Sequence, residues 1–192
     1  MKYLLNSLFT ILVFYSHAQK KIDSTGIFPY EAGKIHITDI VKDSLSKDEL
    51  FNNAVVWFAQ QTNSVNNQVR NKISFANKDN IIIKNEQTGE FVGTLKGIAH
   101  QSLSDILYSF DIYIFVKEGR YKYDLTNFKY LGNSLSNAIA GQNMPMDITL
   151  ESIDKNRPAK NRNAIKKIND DVAKIISGLK ESMSSHSQAS NF

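Results

Sequence analysis

Residues 105–130 read DILYSFDIYIFVKEGRYKYDLTNFKY, and their alternation decides the fold. Ile106, Tyr108, Phe110, Ile112, Ile114 and Val116 fall at every second position, the period of a strand with one buried face. Glu118-Gly119 supplies a two-residue hairpin turn, because glycine takes positive φ without steric cost. That turn pairs Lys117 with Arg120, Val116 with Tyr121, Ile114 with Tyr123 and Ile112 with Leu125. One face of the hairpin is then continuously apolar and is the core face. The other face presents Asp111, Tyr113, Phe115, Lys122, Asp124 and Thr126. Lys117 and Arg120 stand opposed as like charges beside the turn, where water screens them.

Upstream, Asn80 to Lys84 reads as a strand, Glu86 to Glu90 as a turn and Phe91 to Ala99 as the returning partner. Gly93 and Gly97 interrupt that partner and favour a bulge or a close approach; the pattern leaves the register of this hairpin open. Earlier still, Lys34 to Val41 reads as a half-buried strand, with Ile35, Ile37 and either Asp39 or Val41 on one face. Ser46-Lys47-Asp48-Glu49 is a capping box, in which Ser46 and Glu49 satisfy each other's backbone amides. The helix it starts is expected to reach about Gln60, with Leu50, Ala54 or Val55, Trp57 and Phe58 as its apolar stripe. Thr62 to Asn67 is polar and turn-like, and Val69, Ile73 and Phe75 suggest a short strand.

Downstream, Leu131 to Pro158 is rich in Asn, Ser and Gly and reads as a long connection. From Ala159 to about Met183 a strong helix is expected, with Ile165, Ile168, Val172, Ile175, Leu179 and Met183 at threes and fours. Its other face carries Lys166, Lys167, Asp170, Asp171, Lys174 and Lys180, a solvated face by this reading; a short coiled coil is the competing one. The pattern therefore predicts an α+β fold: an antiparallel sheet of about five strands, one early helix and one long C-terminal helix. The expected organisation is a leader over 19–33, a domain over 34–132, a connection over 133–158, the helix over 159–183 and a frayed tail over 184–192.

The first 18 residues read as a secretory signal peptide. Lys2 is its basic start, Leu4 to Tyr15 its apolar stretch, and Ser16-His17-Ala18 places small residues before a cut that leaves Gln19 first. Twelve residues are too few to span a hydrocarbon core, which takes roughly 20 in a helix. The expectation is an exported protein, periplasmic or secreted, with no membrane span after cleavage.

The chain has 192 residues, 42% of them hydrophobic and 22% charged, which suits one domain with extras rather than a disordered tail. It has no cysteine, so disulfides, thiolate metal sites and a cysteine nucleophile are excluded. Residues 151–192 carry eight basic and five acidic side chains, while residues 19–150 balance. A neutral globular part in an exported chain argues against nucleic acid as partner. The basic tail reads as a solvated helix face, with weak contact with an acidic membrane surface as the alternative.

Three groups of residues carry a family resemblance: Gly26-Ile27-Phe28-Pro29-Tyr30-Glu31 with Lys34-Ile35-His36, then Ser46 to Phe51 with Trp57-Phe58-Ala59, then Val116 to Tyr123 with Phe128. Over roughly residues 26–130, and loosely in the final helix, the chain resembles an exported domain of unknown function from the Bacteroidota with a fold like the TATA-box-binding protein (TBP-like). The resemblance implies a curved antiparallel sheet with the helices on one face. It implies no activity, cofactor or site residue, and the namesake's nucleic-acid role does not come with the fold.

Reaction motifs are absent from the sequence. His36, His100 and His186 lack companions at metal-ligand spacing, so neither metal nor cofactor is expected; His36 reads as a sheet or surface histidine. No nucleophile elbow or phosphate loop occurs. Asp111 and Asp124 share the open face as diagonal neighbours, an arrangement that divides acid and base roles when environments split the two pKa values, but Lys122 is placed to neutralise one of them. Tyr113 and Phe115 beside Lys122 and Asp124 suit stacking on a sugar, a peptide or a covering segment of the chain itself. The expected function is a non-catalytic binding or structural module of the bacterial cell envelope. Its candidate binding residues are Asp111, Tyr113, Phe115, Lys122 and Asp124, and its expected partner is an envelope protein or glycan. An envelope hydrolase using the two aspartates is the alternative.

Overall fold

The structure, a computed structural model, describes residues 27–70, 81–100, 105–133, 148–156 and 158–185. The expected signal peptide, Ile73, Phe75, most of the 131–158 connection and His186 lie outside the described residues. A small hairpin comes first, β1 (Tyr30–Glu31) and β2 (Lys34–Ile35). Its turn residues Ala32 and Gly33 have φ of 49° and 78°, the signs a two-residue hairpin turn requires. There follow β3 (Ile37–Lys42), α1 (Lys47–Arg70), β4 (Ile81–Asn85), β5 (Glu90–Ala99), β6 (Ile106–Lys117), β7 (Arg120–Asn133), β8 (Ile148–Thr149), α2 (Leu150–Asn156) and α3 (Pro158–Met183). The main sheet is antiparallel and six-stranded, in the order β3-β7-β6-β5-β4, with β8 beside the far end of β7.

The β6–β7 register is the one the turn dictates: Lys117 faces Arg120, Val116 faces Tyr121, Ile114 faces Tyr123 and Ile112 faces Leu125. Gly119 has a φ of 68°. The capping box forms as well, with Ser46 N donating to Glu49 Oε2 at 3.0 Å and Glu49 N to Ser46 Oγ at 3.3 Å. From α1, Leu50, Ala54, Trp57 and Phe58 are buried; from α3, Ile165, Ile168, Val172, Leu179 and Met183. Both helices cover the sheet face that carries Phe91, Leu95, Tyr108, Phe110, Ile112 and Ile114. Each fully buried side chain of this size contributes roughly 1.5–3 kcal/mol from area removed from water. The apolar stripe of α3 is thus spent within the chain rather than in a coiled coil.

Four details depart from the sequence reading. The helix α1 does not stop near Gln60 but runs to Arg70, through the expected turn at Thr62–Asn67 and the expected strand around Val69. No glycine or proline interrupts residues 61–70, and the Thr62 hydroxyl donates back to the carbonyls of Phe58 and Ala59 rather than breaking the helix. The expected strand Lys34–Val41 is two strands broken at His36, because Ile35 pairs back onto Tyr30 while Ile37 pairs with Leu125. The connection contains β8 and α2, and the sheet has six strands instead of about five. Finally, the polar face of α3 is not simply solvated. Asp171 accepts a hydrogen bond from the buried Tyr108 hydroxyl at 2.7 Å, and Lys180 Nζ lies 2.8 Å from Asp39 Oδ2 on β3.

Burial pushes the Tyr108 hydroxyl far above the ordinary tyrosine range, and the adjacent Asp171 charge adds to it, so the phenol remains a donor. Its hydrogen bond to Asp39 raises the Lys180 ammonium above its usual value, against a smaller opposing effect of burial. Asn53, buried on α1, donates to the carbonyls of Met183 and Ser185 and caps the end of α3. These three contacts fix the helices over the sheet.

Gly97 and Gly178 make opposite predictions. A Cβ at Gly97 would stand 2.1 Å from Cζ of Tyr108, whose ring crosses β5 there to reach α3. Gly97→Ala is expected to cost about 1–3 kcal/mol or more from overpacking. A Cβ at Gly178 in α3 would stop 3.8 Å from Trp57 Nε1, an ordinary contact. Gly178→Ala is expected to gain up to about 1 kcal/mol from helix propensity. Urea unfolding of the two variants checks both signs.

Candidate binding face

The registers of β3 to β7 arrange the face opposite the helices in rows. At the turn end lie Lys42, Arg120 and Lys117, side by side on three strands. Behind them are Ile40, Lys122, Phe115 and Glu90. The third row is Thr38, Asp124, Tyr113, Val92 and Ile83. The fourth is Thr126, Asp111 and Thr94. The five candidate residues of the sequence reading thus occupy three adjacent rows of one face.

A bulge shapes the middle of this face. Asp111 pairs with Thr126 and Ser109 with Lys129, so β7 carries one more residue than β6 across that step. Asn127 takes the strain, with a φ of 54°. The bulge sends Phe128 into the core, stacked on Phe110 at 5.2 Å, and turns Asn127 outward. There Asn127 Nδ2 donates to Asp111 Oδ2 at 2.7 Å, while Thr94 Oγ1 donates to Asp111 Oδ1 at 2.6 Å. The carboxylate is fixed by two neutral donors.

Beside it is a depression of about 560 Å³. Asp111, Tyr113, Thr126 and Asn127 line it from the sheet, Gly33 and Lys34 from the small hairpin, and Thr149, Glu151 and Ser152 from β8 and α2. Glu151 is buried, and its Oε1 accepts the Ile35 amide at 2.7 Å, which ties α2 to β2 and holds that wall in place. The described part of the connection therefore flanks Tyr113 rather than covering the whole face, and Phe115 is left exposed. A second depression, of about 510 Å³, lies at the turn end and is lined by Ile40, Phe115, Lys117, Arg120, Tyr121 and Lys122.

Asp124 lies between the two, 14% exposed at its side chain. Lys122 Nζ is 2.7 Å from its Oδ2, and His36 Nε2 is 3.2 Å from its Oδ1. The other ring nitrogen of His36 contacts Glu31. Burial alone would raise the Asp124 carboxyl, but the hydrogen bonds from Lys122 and Thr38, the Lys122 charge and the His36 contact outweigh it and hold it below the usual carboxylate range. Asp111 and Asp124 are diagonal neighbours, as expected, but each has its own partners. Among the described residues no hydrogen bond joins them, so the proton sharing that an acid–base dyad uses is not built. Both are fixed acceptors, the equipment of recognition. No group of three or more His, Asp or Glu among the described residues is placed to hold a metal ion.

His36, Asn127, Thr94 and Glu151 complete the site without having been singled out for it. His36 carried no companion in sequence because Asp124 is 88 residues away. Asn127 showed no break in the strand pattern, and Glu151 fell in a segment read as irregular.

An antiparallel sheet with its long helices on one face and the other face open is the architecture of a TBP-like α+β domain. Residues 37–131 belong to the family described as a domain of unknown function (DUF4468) with TBP-like fold. The chain is similar in structure to a DUF4468 family protein from Bacteroides ovatus ATCC 8483, with 12% identity and a TM-score of 0.55 over 85% of this chain and 94% of that one. It is similar also to a TBP-like protein from Parabacteroides distasonis ATCC 8503, with 15% identity and a TM-score of 0.55 over 82% of this chain and 97% of that one. At these identities the likeness is one of fold. No curated protein matches the chain.

The lowered Asp124 pKa predicts a pH dependence. Its contribution to stability is fully present above the unfolded carboxylate value of roughly 3.9 and is lost as pH falls through the lower folded value. Asp124→Asn is expected to cost about 1–3 kcal/mol at neutral pH. In acid unfolding followed by circular dichroism, the gap between variant and wild type should close below about pH 4.

Proposed function

We propose that the protein is an exported, non-catalytic binding module of the bacterial cell envelope, which recognises an envelope protein or glycan across the face carrying Asp111, Tyr113, Phe115, Lys122 and Asp124. The observation that carries this reading is the bulge at Asn127, which fixes a carboxylate beside the aromatic ring of Tyr113 at the floor of a depression of about 560 Å³. An aromatic face flanked by fixed polar groups is how sugars and peptide side chains are held. Separate partners for Asp111 and Asp124 favour recognition over hydrolysis. The tail reading weakens as well, because Lys167 Nζ donates to the His100 carbonyl and Lys180 is bound to Asp39, leaving α3 less free charge for a membrane surface. Among the described residues no helix is long and apolar enough to cross a membrane. Export rests on Lys2, Leu4 to Tyr15 and Ser16-His17-Ala18.

Two measurements test this. Protein recovered from the native host should begin at Gln19; an N-terminus at Met1 would remove the case for export. A photocrosslinking amino acid at position 113 in living cells should give a reproducible adduct with another envelope component, named by mass spectrometry. Adducts confined to the protein's own chain would make Tyr113 an internal packing residue and end the binding-face reading.

A further inference from the structure

The row Lys42, Arg120 and Lys117 is a conflict the fold leaves standing. Adjacent strands lie about 4.8 Å apart, and like charges directly opposite one another are unfavourable. Here three stand side by side, all exposed. Among the described residues none of the three has a hydrogen bond or ion pair through its side chain. The nearby acids are engaged elsewhere. Asp43 accepts the amides of Ser44 and Leu45 and the Ser184 hydroxyl, Glu118 accepts the Lys47 amide, and Asp124 takes Lys122. Glu90 lies in the next row, opposite Phe115. That row also holds the apolar side chains of Ile40, 64% exposed, and Phe115, 36% exposed. Cations and exposed apolar groups together line the depression of about 510 Å³.

We infer that this end of the open face takes an acidic segment of a protein partner, its carboxylates on Lys42, Arg120 and Lys117 and an apolar side chain laid over Lys122 against Ile40 and Phe115. This rests on the binding-face reading and deepens it by giving the chemistry of the partner. Charge complementarity sets the sign of the ligand. The planar fork of Arg120 suits a carboxylate bidentately. The concavity favours a segment over a bilayer, because side chains that anchor in a membrane project outward, whereas Ile40 and Phe115 line a hollow. Main-chain pairing does not contribute at Ile40, whose amide is already taken by Asp39 Oδ1 at 2.9 Å.

The test uses the purified protein and a fluorescein-labelled octapeptide alternating Glu with Leu and Phe, read by anisotropy. The peptide should bind at least about tenfold more tightly than its Gln counterpart and weaken as salt is raised. The Lys117→Gln/Arg120→Gln double variant should lose about tenfold or more in affinity. It should melt no lower than wild type, because it relieves repulsion; Lys42→Gln, which leaves the turn intact, should lose affinity in the same direction. Equal binding of the Glu and Gln peptides, undiminished binding by both variants, or preference for phosphatidylglycerol vesicles over the peptide overturns the inference. The crosslink at position 113 separates this failure from that of the binding face. A crosslink that survives in the double variant leaves the face in use and counts against the acidic segment, whereas one that disappears with the charges supports it. Peptide affinity with wild-type adducts confined to the protein's own chain supports the acidic segment at the turn end and counts against recognition around Tyr113.

Discussion

Gly119 holds the β6–β7 turn to the loop that leads into α1. Its positive φ closes the β6–β7 turn in two residues, and its backbone is held in turn: its carbonyl accepts the Asp43 amide at 2.9 Å and its amide donates to the Leu45 carbonyl at 3.2 Å. The neighbouring Glu118 caps Lys47 at the start of α1. From the other side, the Val116 amide donates to the carbonyl of Gly89, another positive-φ glycine, at 2.8 Å. The hairpin turn, the loop into α1 and the β4–β5 turn are therefore locked together. A slip of one residue would move Ile112, Ile114 and Val116 into water and bring Asp111, Tyr113 and Phe115 under the helices. The core and the open face depend on the same register.

With that register set, the helices need only a face to cover and a way to be held at one angle. Hydrophobic burial supplies the first without direction. Direction comes from polar contacts at three points: Tyr108 with Asp171, Lys180 with Asp39, and Asn53 with the end of α3. Lys180 also lies 5.7 Å from the Tyr123 ring centroid, so one ammonium joins α3 to both β3 and β7. Burial raises the Tyr123 hydroxyl above its usual range even with that cation beside it, and the ring keeps its phenol form. The site inherits this stiffness, since Tyr113 and Asp124 stand on the same strands as the core residues between them.

Local periodicity made much of this legible. The β6–β7 pairing, the capping box at Ser46 and Glu49, the buried stripe of α3 and the open-face placement of all five candidate residues follow from period and turn chemistry. What was not legible depends on distance along the chain or on the lack of a breaker. The continuation of α1 through Thr62 to Arg70 is a polar run that only the absence of glycine and proline allows. The pairing of His36 with Asp124 and the support of β2 by Glu151 join residues that no local pattern connects. The bulge at Asn127 hides in an unbroken strand sequence, because asparagine can take the left-handed conformation without announcing it. Register places side chains on a face; contacts between distant segments decide which of them meet.

The edge strand β3 carries a last consequence. An open strand edge with free amides is a template onto which strands of neighbouring molecules can grow, the route to fibrils. Here the Asp39 carboxylate covers the Ile40 amide from the same strand, and Lys180 holds that carboxylate with its other oxygen. An ion pair that orients a helix thus also blunts the rim of the sheet. With no disulfide to lock the fold, covering that amide discourages self-templated pairing at the point of the strand where an exposed isoleucine would otherwise invite it.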